Sequence, residues 1–227
     1  MKDINKIFNN CLVNKPWGEE YTIFYNKDKV AITLVKIKPK QGTSLHCHPQ
    51  KKTGFIILKG SPSIQIGIHK KNTWKSKPLS IMVLRPGLFH SIKNLSDRND
   101  VLALEFESPY LKNDLIRFED DYGRQKKGYE TKKFMFKLNK NYIRFSNILK
   151  SANYSLYKKK ITIQTFDKRK KNFKFNDKSV CGILDGKLVD NKNKIVLTHG
   201  EIIKTKTLKI LMKKYKISKS LKVLNVI

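Results

Sequence analysis

Acidic residues are scarce in this sequence: 18 Asp and Glu stand against 49 Lys and Arg, a formal net charge of +31 over 227 residues. Arginine is scarce too, because only 6 of the basic residues are Arg and the other 43 are Lys. Arg recognises bases and phosphates bidentately, whereas Lys is a dispersed point charge. The lysines run through the whole chain in short clusters such as Lys158-Lys159-Lys160 and Lys168-Arg169-Lys170-Lys171. The charge therefore argues for attraction of anionic metabolites and against a dedicated nucleic-acid surface. Cysteine is limited to Cys11, Cys47 and Cys181, far apart and without a CxxC pair, which argues against a disulfide framework or a zinc ribbon and for reduced, apolar thiols. No apolar run approaches membrane length, and Met1 to Val13 has early lysines and scattered polar residues where a signal peptide would have an apolar stretch. The expectation is a soluble, uncleaved cytoplasmic protein without a membrane partner.

Strand signals fill the first half of the chain. Tyr21–Tyr25, Val30–Ile37, Gly54–Leu58, Ser63–Ile68, Ser80–Leu84 and Val101–Phe106 are short, rich in Val, Ile, Phe and Leu, and separated by Gly, Pro, Asn and Asp. This spacing argues for an all-β barrel or sandwich. After a polar stretch at Arg124–Thr131, which reads as a linker, Leu138–Ala152 allows a short helix. Strand patterns then return at Ser155–Thr165, Ser179–Leu184, Lys194–Leu197 and Leu221–Val226.

Gly42-Thr43-Ser44-Leu45-His46-Cys47-His48-Pro49 is answered later by Pro86-Gly87-Leu88-Phe89-His90. In a strand, residues i and i+2 share a face, so His46 and His48 present two imidazoles to one side and Cys47 to the other. A Pro-Gly turn brings His90 to the start of a strand nearby. An HxH pair alone is more often a half-exposed strand decoration. Three convergent neutral imidazoles suit one divalent ion, with Zn, Mn, Fe, Ni and Co all compatible, and leave positions open for water or substrate.

The order Gly42, HxH, an apolar strand ending at Gly60, then Pro86-Gly87-x-x-His90-x-x-x-Asn94 resembles the two motifs of the cupin superfamily. Lys15-Pro16-Trp17-Gly18 at the entry and Arg117-Phe118-Glu119-Asp120-Asp121-Tyr122-Gly123-Arg124 at the exit are similar to the cupin domain of type II mannose-6-phosphate isomerases. The resemblance covers residues 15–124. It implies a double-stranded β-helix (cupin jelly roll), a metal on His46, His48 and His90, and an anionic sugar metabolite as partner. Three positions depart from it: those isomerases have Gln at His46, Arg at Lys51, and a carboxylate ligand at Thr53. Without that carboxylate a divalent ion keeps its full charge and is held less tightly.

Residues 131–227 carry a faint echo of the first unit. Cys181 to Leu188 parallels Ile56 to Gly60, and Leu197-Thr198-His199-Gly200-Glu201 parallels Leu84 to Leu88. The expectation is a bicupin with a degenerate second unit, in which His199 is a turn residue. The resemblance also implies association into a homodimer.

The leading functional reading is a metal-dependent aldose-ketose sugar-phosphate isomerase in surface-polysaccharide precursor metabolism. Glu105 is its proton shuttle, Lys51 faces the phosphate, and His46, His48 and His90 hold the metal. The runner-up is a non-catalytic sugar or sugar-nucleotide binding cupin. A dioxygenase-like iron cupin would share the same three histidines.

Overall fold

The computed structural model describes residues 8–27, 29–146, 151–167 and 175–227. In chain order the strands are β1 (Cys11–Lys15), β2 (Gly18–Asn26), β3 (Val30–Ile37), β4 (Leu45–Cys47), β5 (Lys52–Lys59), β6 (Ser63–Ile66), β7 (Thr73–Lys75), β8 (Ile81–Leu84), β9 (His90–Lys93), β10 (Val101–Ser108) and β11 (Ile116–Glu119). They continue as β12 (Met135–Lys137), β13 (Ala152–Leu156), β14 (Lys159–Asp167), β15 (Val180–Val189), β16 (Ile195–Thr198), β17 (Ile202–Lys204) and β18 (Lys216–Val226), with a helix α1 (Thr205–Lys214) before the last. Three antiparallel sheets result. Their orders are β12-β1-β2-β3-β10-β5-β8, then β11-β4-β9-β6-β7, then β13-β14-β18-β15-β16 with β17 also on β15.

Two-residue alternation decides how these sheets stack. Val35 and Ile37 of β3, Phe55 and Ile57 of β5, and Val101 and Ala103 of β10 meet Ile64 and Ile92 of the second sheet in the core of the jelly roll. Their neighbours Ile32, Leu34, Ile56, Leu104 and Phe106 point the other way, and pack against Ile161, Ile163, Val180, Leu224 and Val226 of the third sheet. The first sheet is thus buried on both faces, which is why Phe55-Ile56-Ile57-Leu58 reads as an unbroken apolar run. Gly182 of β15 marks the closest approach: a Cβ there would lie 2.3 Å from the Phe106 ring. The far face of the third sheet buries Cys181, Ile183, Leu221 and Val223 against Leu208 and Met212, which share one face of α1.

Several sequence expectations are corrected by this arrangement. Ser155–Thr165 is a hairpin instead of one strand, because Tyr157 and Lys158 turn the chain with φ of 48° and 65°. In the Leu138–Ala152 stretch, 138–146 is turn and irregular structure and 147–150 lies outside the described residues, while the helix is instead α1. Arg124–Thr131 is no free linker. Arg117 Nη1 donates to the carbonyls of Lys127 and Gly128, and the Glu130 carboxylate is gripped by Lys15 and Arg124, so the segment straps the mouth of the jelly roll. β12 then pairs with β1, so 135–137 joins the first sheet. The expected second unit, residues 131–227, contributes β12 to the first sheet, and from Ala152 onward its described residues form one sheet with a helix on its far face. There Gly186 sits at φ +83° and His199 lies in the turn between β16 and β17. Among the described residues no helix is long and apolar enough to cross a membrane.

Candidate metal centre

The second sheet supplies His46 and His90, and His48 stands one residue past the end of β4. His46 in β4 stands directly opposite His90 in β9, so the two side chains share a face, and His48 follows two residues on. Gly87, at φ +75°, makes the turn into β9 and donates its N–H to the His48 carbonyl at 2.9 Å, tying the two motifs together. The ring centroids lie 4.5 Å (His46–His90), 5.0 Å (His46–His48) and 5.5 Å (His48–His90) apart, and their candidate ligand atoms all fall within 4.8 Å of one another.

Hydrogen bonding fixes which nitrogen is free. Nδ1 of His46 faces the Ser44 carbonyl at 2.8 Å, Nδ1 of His90 the Leu88 carbonyl at 3.1 Å, and Nδ1 of His48 the Asp114 carbonyl. A carbonyl only accepts, so each Nδ1 carries the proton and each Nε2 keeps its lone pair, the orientation in which histidines ligate metals. Nε2 of His48 and of His90 are buried without a partner among the described residues. A buried orphan of this kind costs about 1–3 kcal/mol unless something binds it. Burial is also the main cause that holds all three imidazoles below their ordinary pKa, His90 at about 4, so they are neutral and competent to ligate. The three histidines therefore fit a divalent ion.

The first sheet supplies the facing wall. Glu105 and Glu107 lie two apart on β10 and both point inward, into the pocket that His46, His48 and His90 line from the other side. Their environments differ. Glu107 is 1% exposed, accepts from Lys51 Nζ (2.5 Å), Lys112 Nζ (2.8 Å) and Thr33 Oγ1 (2.8 Å), and is held well below the usual carboxylate range because these ammonium groups outweigh its burial. Glu105 has no hydrogen-bond or ion-pair partner among the described residues; burial and the Glu107 charge push it up to about 8. The sequence reading singled out Glu105, and the structure places it at the pocket. Lys51, read as a phosphate contact, is 3% exposed and locked onto Glu107. Thr53 lies on β5 two residues before Phe55, on the same face; it is 1% exposed, its hydroxyl has no partner among the described residues, and it offers no carboxylate.

From Lys51 an alternating chain of buried charges runs to the mouth: Glu107, Lys112, Glu20, Lys15, Glu130, Arg124 and Asp120. The sequence reading missed most of this chain. Only Glu107 had a local signal, its i+2 relation to Glu105. Asp114 was missed as an organiser: its carboxylate accepts the N–H groups of Gln50 (3.0 Å) and Lys51 (2.8 Å) while its carbonyl orients His48. Arg117 and Arg124 of the exit motif line the pocket, and Arg117 Nε is buried without a partner among the described residues. Lys36 points to the opposite face of β3.

No protein-family model matches the chain. A mannose-1-phosphate guanylyltransferase, ManC of Salmonella typhimurium, is 24% identical over 113 residues, which is 49% of this chain and 23% of ManC, so the chain spans about a quarter of that relative's length. Among solved structures, the capsular polysaccharide assembling protein CapF of Staphylococcus aureus is similar over 48% of this chain and 33% of its own, at 19% identity and a TM-score of 0.43. KdgF from a Halomonas species is similar over 45% of this chain and 89% of its own, at 13% identity and a TM-score of 0.40. Two facing antiparallel sheets, with a three-histidine cluster at one of them and the HxH and Pro-Gly-x-x-His motifs brought side by side, give residues 15–124 the double-stranded β-helix (jelly-roll) fold.

Proposed function

We propose that the protein is a metal-dependent isomerase of the mannose-6-phosphate/fructose-6-phosphate type, serving surface-polysaccharide precursor metabolism. The observation that carries this reading is Glu105, an unpaired carboxyl raised to about 8 in the same pocket as the free Nε2 atoms of His48 and His90. Aldose-ketose interconversion moves one proton between adjacent carbons. A group that takes a proton and returns it works best with a pKa near the operating pH, and Glu105 meets that condition. A divalent ion on His46, His48 and His90 would supply a Lewis acid for the substrate oxygens. Burial, and then the charge of Glu107 that Lys112 and Lys51 keep ionised, raise Glu105 into that range. With Lys51 engaged, Arg117 takes the role of the phosphate contact, because its Nε is the buried donor left without a partner.

A second reading, binding of a sugar or sugar nucleotide without chemistry, draws on Thr53. Three neutral ligands hold a metal less firmly than three with a carboxylate, and most cations around the pocket are already neutralised by the buried acids. The likeness to a mannose-1-phosphate guanylyltransferase makes mannose-6-phosphate the first substrate to try. Turnover to fructose-6-phosphate with Zn, Mn, Co or Ni, lost in both His90→Ala and Glu105→Gln, would establish the isomerase. Saturable GDP-mannose binding with no turnover under any metal would replace it with the binding module.

A further inference from the structure

A second cleft lies on the other side of the first sheet, at the seam with the C-terminal unit, with about 970 Å3 of space counting its open mouth. Its floor is Tyr21 of β2 and Leu34 of β3, one side is the 139–143 segment with Tyr142, and the other is the β13–β14 turn with Leu156 and Tyr157. Three phenol rings from three separate elements therefore converge on one bowl. Tyr21 and Tyr142 meet edge to face at 5.1 Å and 78°, and the Tyr21 hydroxyl is anchored on the Ile143 carbonyl at 3.1 Å, so the ring orientations are set in advance.

Tyr157 is the informative member. It is 48% exposed and sits at φ +48°, in the left-handed region where Gly or Asn is usual and a bulky ring is uncommon. A turn that needed only to close the hairpin would be better served by Gly. An aromatic held there at a backbone cost, beside two others, indicates a surface that something stacks on.

Charge narrows the ligand. In a protein of net charge +31 this cleft is lined by one cation and one anion, Lys36 and Glu19, which lie 3.4 Å apart; Asp100 stands 3.8 Å from Lys36 on its other side. Among the residues that line the cleft, no uncompensated charge remains for a phosphate. The rim instead offers the Asn141 carboxamide and the Ser155 hydroxyl, neither of which bonds within the described residues, and burial keeps the Tyr21 and Tyr142 phenols protonated, so Tyr142 can donate and accept while Tyr21, whose proton goes to Ile143, can accept. Flat aromatic faces match the C–H face of a pyranose ring, and amides and hydroxyls match its equatorial hydroxyls.

We propose that this cleft is a second binding site, for an uncharged pyranose ring of a free or chain-linked saccharide. It is independent of the histidine pocket. A proline-rich peptide also stacks on tyrosines, and its binding is the contrary outcome in the test.

The test uses the full chain labelled with 15N and titrated with methyl α-mannoside, methyl β-glucoside, N-acetylglucosamine and maltotriose at millimolar concentrations. At least one sugar should give saturable amide shifts in 139–143 and 155–158. The response should be unchanged in His48→Ala and at least about tenfold weaker in Tyr142→Ala and in Tyr157→Asn, which removes the ring while suiting the left-handed backbone. No saturable shift with any sugar, shifts confined to the histidine pocket, or saturation only by a proline-rich decapeptide would each overturn the proposal.

Discussion

His48 and Asp114 are joined through the main chain: the imidazole Nδ1 donates to the Asp114 carbonyl, while the Asp114 carboxylate holds the loop that follows His48 by the N–H groups of Gln50 and Lys51. One residue therefore orients the imidazole and immobilises its backbone. Asp114→Ala keeps the carbonyl but frees the loop, and should weaken divalent-metal affinity by about ten- to a hundredfold, the usual effect of removing such outer support. Asp114→Asn, with one acceptor oxygen left, should fall between. Competition against a chromogenic chelator reads both, and wild-type affinity in both variants would show that the carbonyl alone positions His48.

Metal stoichiometry tests the ligand set directly. Purified protein supplied with Zn or Ni should retain roughly one ion per chain, weakly and exchangeably, as three neutral ligands predict. His48→Ala should lose it. Thr53→Glu should tighten retention by adding a carboxylate, at a packing cost of about 1–3 kcal/mol because Thr53 is 1% exposed. Elemental analysis after dialysis distinguishes these results; equal, negligible metal in wild type and His48→Ala would remove the metal centre.

Stability should depend on pH in two opposed ways. Glu107 has its pKa lowered on folding by Lys112 and Lys51, so its contribution is present above the ordinary carboxylate pKa and is lost as pH falls below about 4. Glu105 has its pKa raised, so the folded state binds the extra proton and stability declines as pH rises from about 4 toward 8. Glu105→Gln should abolish that decline, and its advantage over wild type in urea unfolding of metal-free protein should grow between about pH 5 and pH 8. Glu107→Gln should instead cost about 3–5 kcal/mol at neutral pH by leaving Lys51 and Lys112 buried with a neutral partner. Parallel pH profiles for Glu105→Gln and wild type would show that Glu105 does not titrate as described.

The third sheet covers apolar residues that belong to the cupin unit. A chain ending at Gly128 would expose Ile32, Leu34, Ile56, Leu104 and Phe106 to water, and should aggregate or self-associate in size-exclusion chromatography. A well-behaved monomer would show that the cupin unit stands alone.

Gly182→Ala places a methyl group against the Phe106 ring and should destabilise the fold by about 1–3 kcal/mol in urea unfolding. Phe106→Leu in the same chain should recover part of the loss. Additive penalties would mean that the two residues are not in contact.

The sequence showed the metal motifs clearly because strand alternation and the Pro-Gly turn are local signals. His46, His48 and His90 converge as that reading requires, and Val30–Ile37 forms a strand with those bounds. What escaped it is non-local. Lys15 and Glu130 are 115 residues apart and share no motif, so only folding reveals that they are partners. The β13–β14 hairpin was invisible because Tyr157 and Lys158 turn the chain without Gly or Asn. α1 was missed because Leu208 and Met212, four apart, sit among lysines and Ile210 that suit a strand as well.

β10 carries two unrelated duties on alternate residues. Ala103, Glu105 and Glu107 look toward the histidines, while Leu104 and Phe106 look toward the C-terminal sheet. A single-residue deletion inside Val101–Ser108 would therefore exchange the two sets, driving carboxylates into an oily seam and a phenyl ring into the polar pocket. Along this strand, substitution leaves each duty free to change by itself, but a shift in length ties them together, so descendants of this chain can vary its residues and not its count.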